Sequence, residues 1–158
     1  MKTNIEKFIE QSVKEKEERP IRLFNPTCMD FKKAHRLKSI EATEEYTRID
    51  FIYRSSKIYI NGGWIQMDAG SYIQPVNSSK KYGLIKAIGI PITPQKHHFS
   101  RQGEYHTYTL IFEALPKNTS KIDIIERLGC WNCFNFFNVD YSKWMSIPFA
   151  ADLPKSNN

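Results

Sequence analysis

Tyr105–Glu126 reads YHTYTLIFEALPKNTSKIDIIE, and its alternation decides what fold the chain can take. Tyr105, Thr107, Thr109, Ile111 and Glu113 form one face of an extended segment; His106, Tyr108, Leu110, Phe112 and Ala114 form the other. Successive side chains on a strand point to opposite faces, and the second set is nearly all apolar, so that face turns to a core. Leu115-Pro116-Lys117-Asn118-Thr119 breaks the run with a proline and turn formers. Lys121–Ile125 then resumes it, with the β-branched pair Ile124 and Ile125. The stretch predicts two strands joined by a polar loop, with Pro116 at the rim where no ladder donor is needed.

Outward from this stretch the same grammar repeats. His35–Ala42 reads as a strand in which Leu37 and Ile40 fall out of strict alternation, the mark of a bulge. Glu44-Glu45 turns into Tyr46–Tyr53, and Asn61-Gly62-Gly63 precedes a short strand at Trp64–Met67. Asp68-Ala69-Gly70 turns into Ser71–Gln74, which Pro75 stops. Lys81–Ile88 follows, then the extended connection Gly89–Pro94, and Phe134–Val139 is the last strand. Short strands about every ten residues, with no helix between them, predict an all-β antiparallel sandwich or barrel, of which the sandwich is preferred. Two packed sheets are expected from about His35 to Val139, with Leu110 and Phe112 buried together between them.

Before this domain, residues 3–18 place Ile5, Phe8, Ile9 and Val13 at helical spacing, and Arg19-Pro20 ends the pattern. An N-terminal amphipathic helical extension is therefore expected over 1–20, the β domain over 21–140, and a proline-punctuated tail over 141–158. An isolated helix of this length is marginal in water, so its apolar stripe is expected to pack on the domain or on a second copy.

Composition narrows the functional classes. A hydrophobic content of 41% and a charged content of 25% are those of an ordinary globular protein, and the 13% aromatic fraction favours strands. The net charge of +6 is unevenly spread, much of the basic excess falling in the N-terminal portion, where Glu15, Glu17 and Glu18 dilute it. A nucleic-acid binder concentrates its charge on one element or face, so nucleic acid is not the expected ligand. Three cysteines, Cys28, Cys130 and Cys133, do not make a secreted disulfide scaffold. The N-terminus has no apolar signal-peptide core, which predicts a cytoplasmic location; a chain already trimmed of a leader would read identically. No apolar run reaches membrane-spanning length.

Several residues could carry chemistry. Cys130-x-x-Cys133 has the spacing of a disulfide-forming pair or of half a zinc site. A redox pair is best placed at a helix N-terminus, whereas this one precedes a strand-like Phe134-Asn135-Phe136-Phe137. A zinc site would need Cys28 and one of His35, His97, His98 or His106 as further ligands. His97-His98 lies in the polar segment PQKHHFSRQG with Lys96 and Arg101, which reads as an exposed basic loop able to touch an anion or a partner. Trp64 and Tyr72, on short strands near glycines, could stack on a sugar or base, or could fill the core. No nucleophile elbow, phosphate loop or HExxH motif organises the Ser, His and Asp residues. The residues alone therefore predict a non-catalytic binding or protein-interaction module, without catalytic, cofactor-binding or metal residues and without a cofactor. Its expected partner is another protein or a second copy. The rival is a small thiol-redox or metal-binding protein using Cys130 and Cys133.

A series of short matches adds a resemblance. Trp64-Ile65-Gln66-Met67, Ser71-Tyr72-Ile73, Lys80-Lys81-Tyr82, Gly89-Ile90-Pro91-Ile92, Gly103-Glu104 and Thr109-Leu110-Ile111-Phe112 occur in order. Leu115–Thr119, Ile122–Glu126 and Cys130-Trp131-Asn132-Cys133-Phe134 with Phe136–Val139 complete the series. Together they resemble an immunoglobulin-like β-sandwich module of Bacteroides-type bacteria, often found ahead of thioredoxin-like domains in exported proteins. The resemblance covers roughly Ile21 to Val139 and implies a bacterial binding module. It implies no catalytic residues, and residues 140–158 are not expected to form the thioredoxin-like domain.

Overall fold

In the computed structural model, the described residues are 3–7, 35–130 and 133–140. Nine strands run through them in chain order. They are β1 His35–Ala42, β2 Tyr46–Arg54, β3 Trp64–Ile65, β4 Tyr72–Pro75, β5 Tyr82–Ile88, β6 His97–His98, β7 Tyr105–Glu113, β8 Lys121–Ile125 and β9 Phe136–Asp140. Seven form one antiparallel sheet in the order β1-β2-β7-β5-β4-β8-β9; β3 and β6 make a separate two-stranded ribbon. Met67 and Ile92 add an isolated parallel bridge, which is how the Gly89–Pro94 connection is held extended.

The β1–β2 hairpin is built by Thr43, whose Oγ1 accepts from the backbone N–H groups of Glu45 and Tyr46. Along this pair the register shifts between Leu37 and Ser39. The shift returns both Leu37 and Ile40 to the buried side, the reason their spacing departs from strict alternation. β2 and β7 pair over nine positions, from Tyr46 with Glu113 to Arg54 with Tyr105. Thr47 fixes the far end of this pairing: its hydroxyl donates to the Glu113 carbonyl and accepts from Leu115 N–H.

β5 is the turning point of the sheet. Its first residues pair with β4, Tyr82 opposite Ile73 and Gly83 opposite Tyr72. From Leu84 onward it pairs with β7, with a register shift between Leu84 and Lys86. The ladder is therefore continuous but curled, and residues from both of its halves enter one core cluster. Leu110 and Phe112 on β7 share that core with Ile73 on β4, Ile122 and Ile124 on β8, and Val139 on β9. The curl brings the two edge strands together: the ring of Phe136 on β9 lies 5.1 Å from that of His35 on β1.

The face of β7 expected to be solvated is covered in its middle. Ile111 is fully buried in a small second cluster with Tyr46 and Ile88. Beside it Asp50 sits in register between Ser39 and Thr109 and accepts a hydrogen bond from each hydroxyl. Arg48 adds an ion pair to Asp50 at 3.4 Å, and lies 3.9 Å from Glu41. This polar ladder locks the three strands by cross-strand pairs.

Of the expected N-terminal helix, one turn at residues 4–7 is described, closed by a reciprocal capping box between Thr3 and Glu6. Phe8, Ile9, Val13 and Cys28 lie outside the described residues, as does the tail from 141 on. Among the described residues, no helix is long and apolar enough to cross a membrane.

Candidate interaction surface

β2 ends and β7 begins together at one pole of the sheet, Arg54 paired with Tyr105, and the chain after β2 builds a hydrogen-bonded, exposed loop there. Ser55 anchors it. Its N–H donates to the Glu104 carbonyl, its hydroxyl donates to the Arg101 carbonyl, and the same hydroxyl accepts from Glu104 N–H. The loop closes on itself through Gly62 N–H to the Tyr59 carbonyl and Ser56 N–H to the Gly62 carbonyl. Gln102 ties it from the side, its amide donating to the carbonyls of Lys57 (3.1 Å) and Tyr59 (2.9 Å). Gly62 adopts φ +83°, and a Cβ there would run into the Arg101 carbonyl, so only glycine lets the loop seat so closely.

What this well-tied loop presents is apolar. Ile58 is 88% exposed and Ile60 90%, with Tyr59 between them 64% exposed. Isolated exposed apolar residues are common, but three in succession on an exposed loop form a patch. Lys57 and Arg101, both exposed, flank it.

The β3–β6 ribbon stands beside the loop, with Trp64 paired to His98 and Phe99 N–H donating to the Gly63 carbonyl. Trp64 is half-exposed, and the Lys96 ammonium sits 4.2 Å from its ring centroid. A ring covered this way has one face occupied by a cation. Tyr72 on β4 is covered likewise by Lys81 at 4.6 Å. The two aromatics singled out from sequence thus lie in different sheets, each covered by its own lysine.

His97 and His98 belong to the ribbon rather than to an open loop. His97 stacks on His106 at 4.3 Å, and His106 Nε2 donates to the Gly89 carbonyl. Partial burial lowers the pKa of His97, helped by its neighbours His106 and His98 and opposed by Glu104. Among the described residues, no group of three or more His, Cys, Asp or Glu side chains is placed to hold a metal ion.

Cys130 and Cys133 are joined as a disulfide in the β8–β9 loop. As a disulfide they offer no thiolate ligands for zinc. The Arg127 guanidinium lies 3.8 Å from the Cys130 sulfur, and the loop is tied by the Asn135 side chain to the backbone of Glu126 and Arg127. Glu126 accepts from Phe134 N–H; burial raises its pKa, partly offset by that bond.

Phe134 links the disulfide loop to the core at the same pole. Its ring packs 4.2 Å from that of His35, which also meets Phe51, Tyr53, Tyr108 and Phe136. His35 is wholly buried, hydrogen-bonded at Nε2 to the Tyr108 hydroxyl, and among the described residues its Nδ1 has no partner. Desolvation lowers its pKa to about 3, so the imidazole is neutral at any physiological pH. This is a core histidine, not a ligand or a base open to substrate.

The pole thus gathers Trp64, His97, His98, Lys96 and Arg101 from the sequence reading and adds Ile58, Tyr59 and Ile60, which that reading passed over. Their signal was an apolar triplet too short for a strand, set between Ser55-Ser56 and Asn61-Gly62-Gly63. Compared with known proteins, the chain matches no family model, no curated protein and no solved structure.

Proposed function

We propose that this protein is a non-catalytic binding module that engages a macromolecular surface through the Ile58–Ile60 loop and the adjoining Trp64 ribbon. The single observation carrying this reading is the near-complete exposure of Ile58 and Ile60 on a loop held by the Ser55 and Gln102 hydrogen bonds. Covering these side chains would recover about 1.5–3 kcal/mol each, and a loop already ordered loses little entropy on binding. We also read the curled sheet as a sandwich of the immunoglobulin-like kind. Its support is the single core cluster that draws residues from both sides of β5, together with the sequence resemblance over 21–139. Strand β5 belonging to both halves is the feature that sets it apart from two separate sheets.

The test is retention from native cell extract on immobilised wild-type protein, set against Ile58→Ser/Ile60→Ser and against Asn118→Ser on the loop following β7. Material of any chemical class that is lost only with the first variant supports the reading. Identical retention on all three proteins refutes it.

A thiol-redox role is the second reading, favoured by the formed Cys130–Cys133 disulfide with Arg127 beside it. A guanidinium next to sulfur would stabilise the thiolate after reduction. Turnover in an insulin-reduction assay that vanishes in Cys130→Ser/Cys133→Ser would establish this role.

A further inference from the structure

We infer that the partner of the Ile58–Ile60 loop is an anionic lipid bilayer, entered by the loop tip to the depth of the headgroups. The inference rests on the binding-module reading above and names its ligand. Exposure comes first. Ile58 and Ile60 are 88% and 90% exposed, too open to line a groove, so they must enter the partner, which a fluid interface permits without a preformed pocket. The order of chemistry on the tip matches an interface. Ile58 and Ile60 are the most exposed large apolar side chains among the described residues, while Tyr59 and Trp64 carry amphipathic rings of the kind that settle at headgroup level.

Charge comes second. Lys57, Lys96 and Arg101 are all exposed: Lys57 precedes Ile58 in the loop, Lys96 sits beside the indole, and the Arg101 carbonyl holds the Ser55 anchor. Among the described residues none of the three is in an ion pair. Glu104 is an acidic group at this pole, and its carboxylate is engaged with the Ser100 hydroxyl and backbone N–H. A cationic collar around an apolar tip complements a surface that is negative outside and hydrocarbon within. It disfavours a second copy of the chain, which would bring the same collar and the same net charge of +6.

The test uses the full chain and sedimentation with phosphatidylcholine vesicles, either alone or mixed with phosphatidylserine. The expected result is binding to the mixed vesicles and not to phosphatidylcholine alone. Ile58→Ser/Ile60→Ser should weaken it at least tenfold with an unchanged circular dichroism spectrum. Lys57→Ala and Arg101→Ala should each weaken it about fivefold, with the loss growing at low salt. If the serine variant loses folded structure, Ile60→Thr, which changes the tip less, is read in its place.

Vesicle binding indifferent to Ile58 and Ile60 would mean adsorption by net charge alone and would overturn the inference. So would absence of vesicle binding. In that second case, retention of soluble protein that depends on Ile58 and Ile60 would leave the binding-module reading standing and assign the tip to a protein partner. Loss of both would remove the two readings together. Concentration-dependent dimerisation abolished by the tip substitutions, without vesicle binding, would assign the tip to a second copy and also overturn the inference.

Discussion

Replacing His35 by phenylalanine should remove most of the acid sensitivity of this fold. The imidazole is packed among five aromatic rings and, among the described residues, hydrogen-bonded only through Nε2. Desolvation moves its pKa down from 6.5 to about 3. Below 6.5 the unfolded chain takes up a proton that the folded chain refuses, so stability falls as pH drops and goes on falling until about pH 3. At 1.36 kcal/mol per pKa unit, the loss from this group is about 2 kcal/mol on going from about pH 7.5 to about pH 5. It approaches about 5 kcal/mol near pH 3. Urea unfolding followed by far-ultraviolet circular dichroism at these two higher pH values gives the difference directly. Wild type should lose about 2 kcal/mol more than His35→Phe over that interval. Taking the difference between the proteins cancels other titrating groups, among them Glu126. Its raised pKa acts in the opposite direction, adding stability as pH falls and losing it as pH rises through the folded value. Equal pH dependence in the two proteins, or a His35 resonance titrating near 6.5, would refute the reasoning.

Other outcomes follow from the same geometry. Phe112→Ala, at the centre of the shared core, should cost about 3–5 kcal/mol in chemical unfolding, whereas an exposed-edge change such as Phe137→Ala should cost under about 1. Gly62→Ala should cost at least about 2 kcal/mol and speed amide exchange across 55–63, because a Cβ at φ +83° meets the Arg101 carbonyl. Cys130→Ser/Cys133→Ser opens a loop of only a few residues, so the loss of stability should be about 2 kcal/mol, with the circular dichroism spectrum unchanged. Insulin-reduction assays on wild type and that variant should show the same background rate.

Much of the strand order was legible because alternation is a local property. His35–Ala42 and Lys121–Ile125 emerge with the bounds read from the residues, and the bulge near Leu37 announced itself in the misplaced Ile40. Pro75, expected to stop a Ser71–Gln74 strand, is itself the last residue of β4, in register with Ile122. Ile111 and Thr109 were harder. Their face is covered through contacts with Tyr46, Ile88 and Asp50, residues distant in sequence, so alternation marked it as solvated. The curl was also beyond local pattern, since it depends on β5 changing partners at Leu84. At the site, Trp64, His97 and Cys130 drew notice by residue type. The exposed Ile58 and Ile60 did not, because an isoleucine in sequence is read as core until the fold shows it outside. The Cys130–Cys133 pair illustrates the converse: its spacing allowed a disulfide or zinc, and only the formed bond separates them.

The most direct test of the account is an isoleucine-methyl NMR spectrum of labelled protein in unlabelled native lysate with its membranes retained. Ile58 and Ile60 should broaden or shift first, ahead of Ile85, which is also exposed but lies on β5, and ahead of the core residues Ile49, Ile73 and Ile122. Perturbation that begins at Ile85 or spreads evenly, with Ile58 and Ile60 left sharp and unshifted, would contradict the claim that this pole is where the protein makes contact.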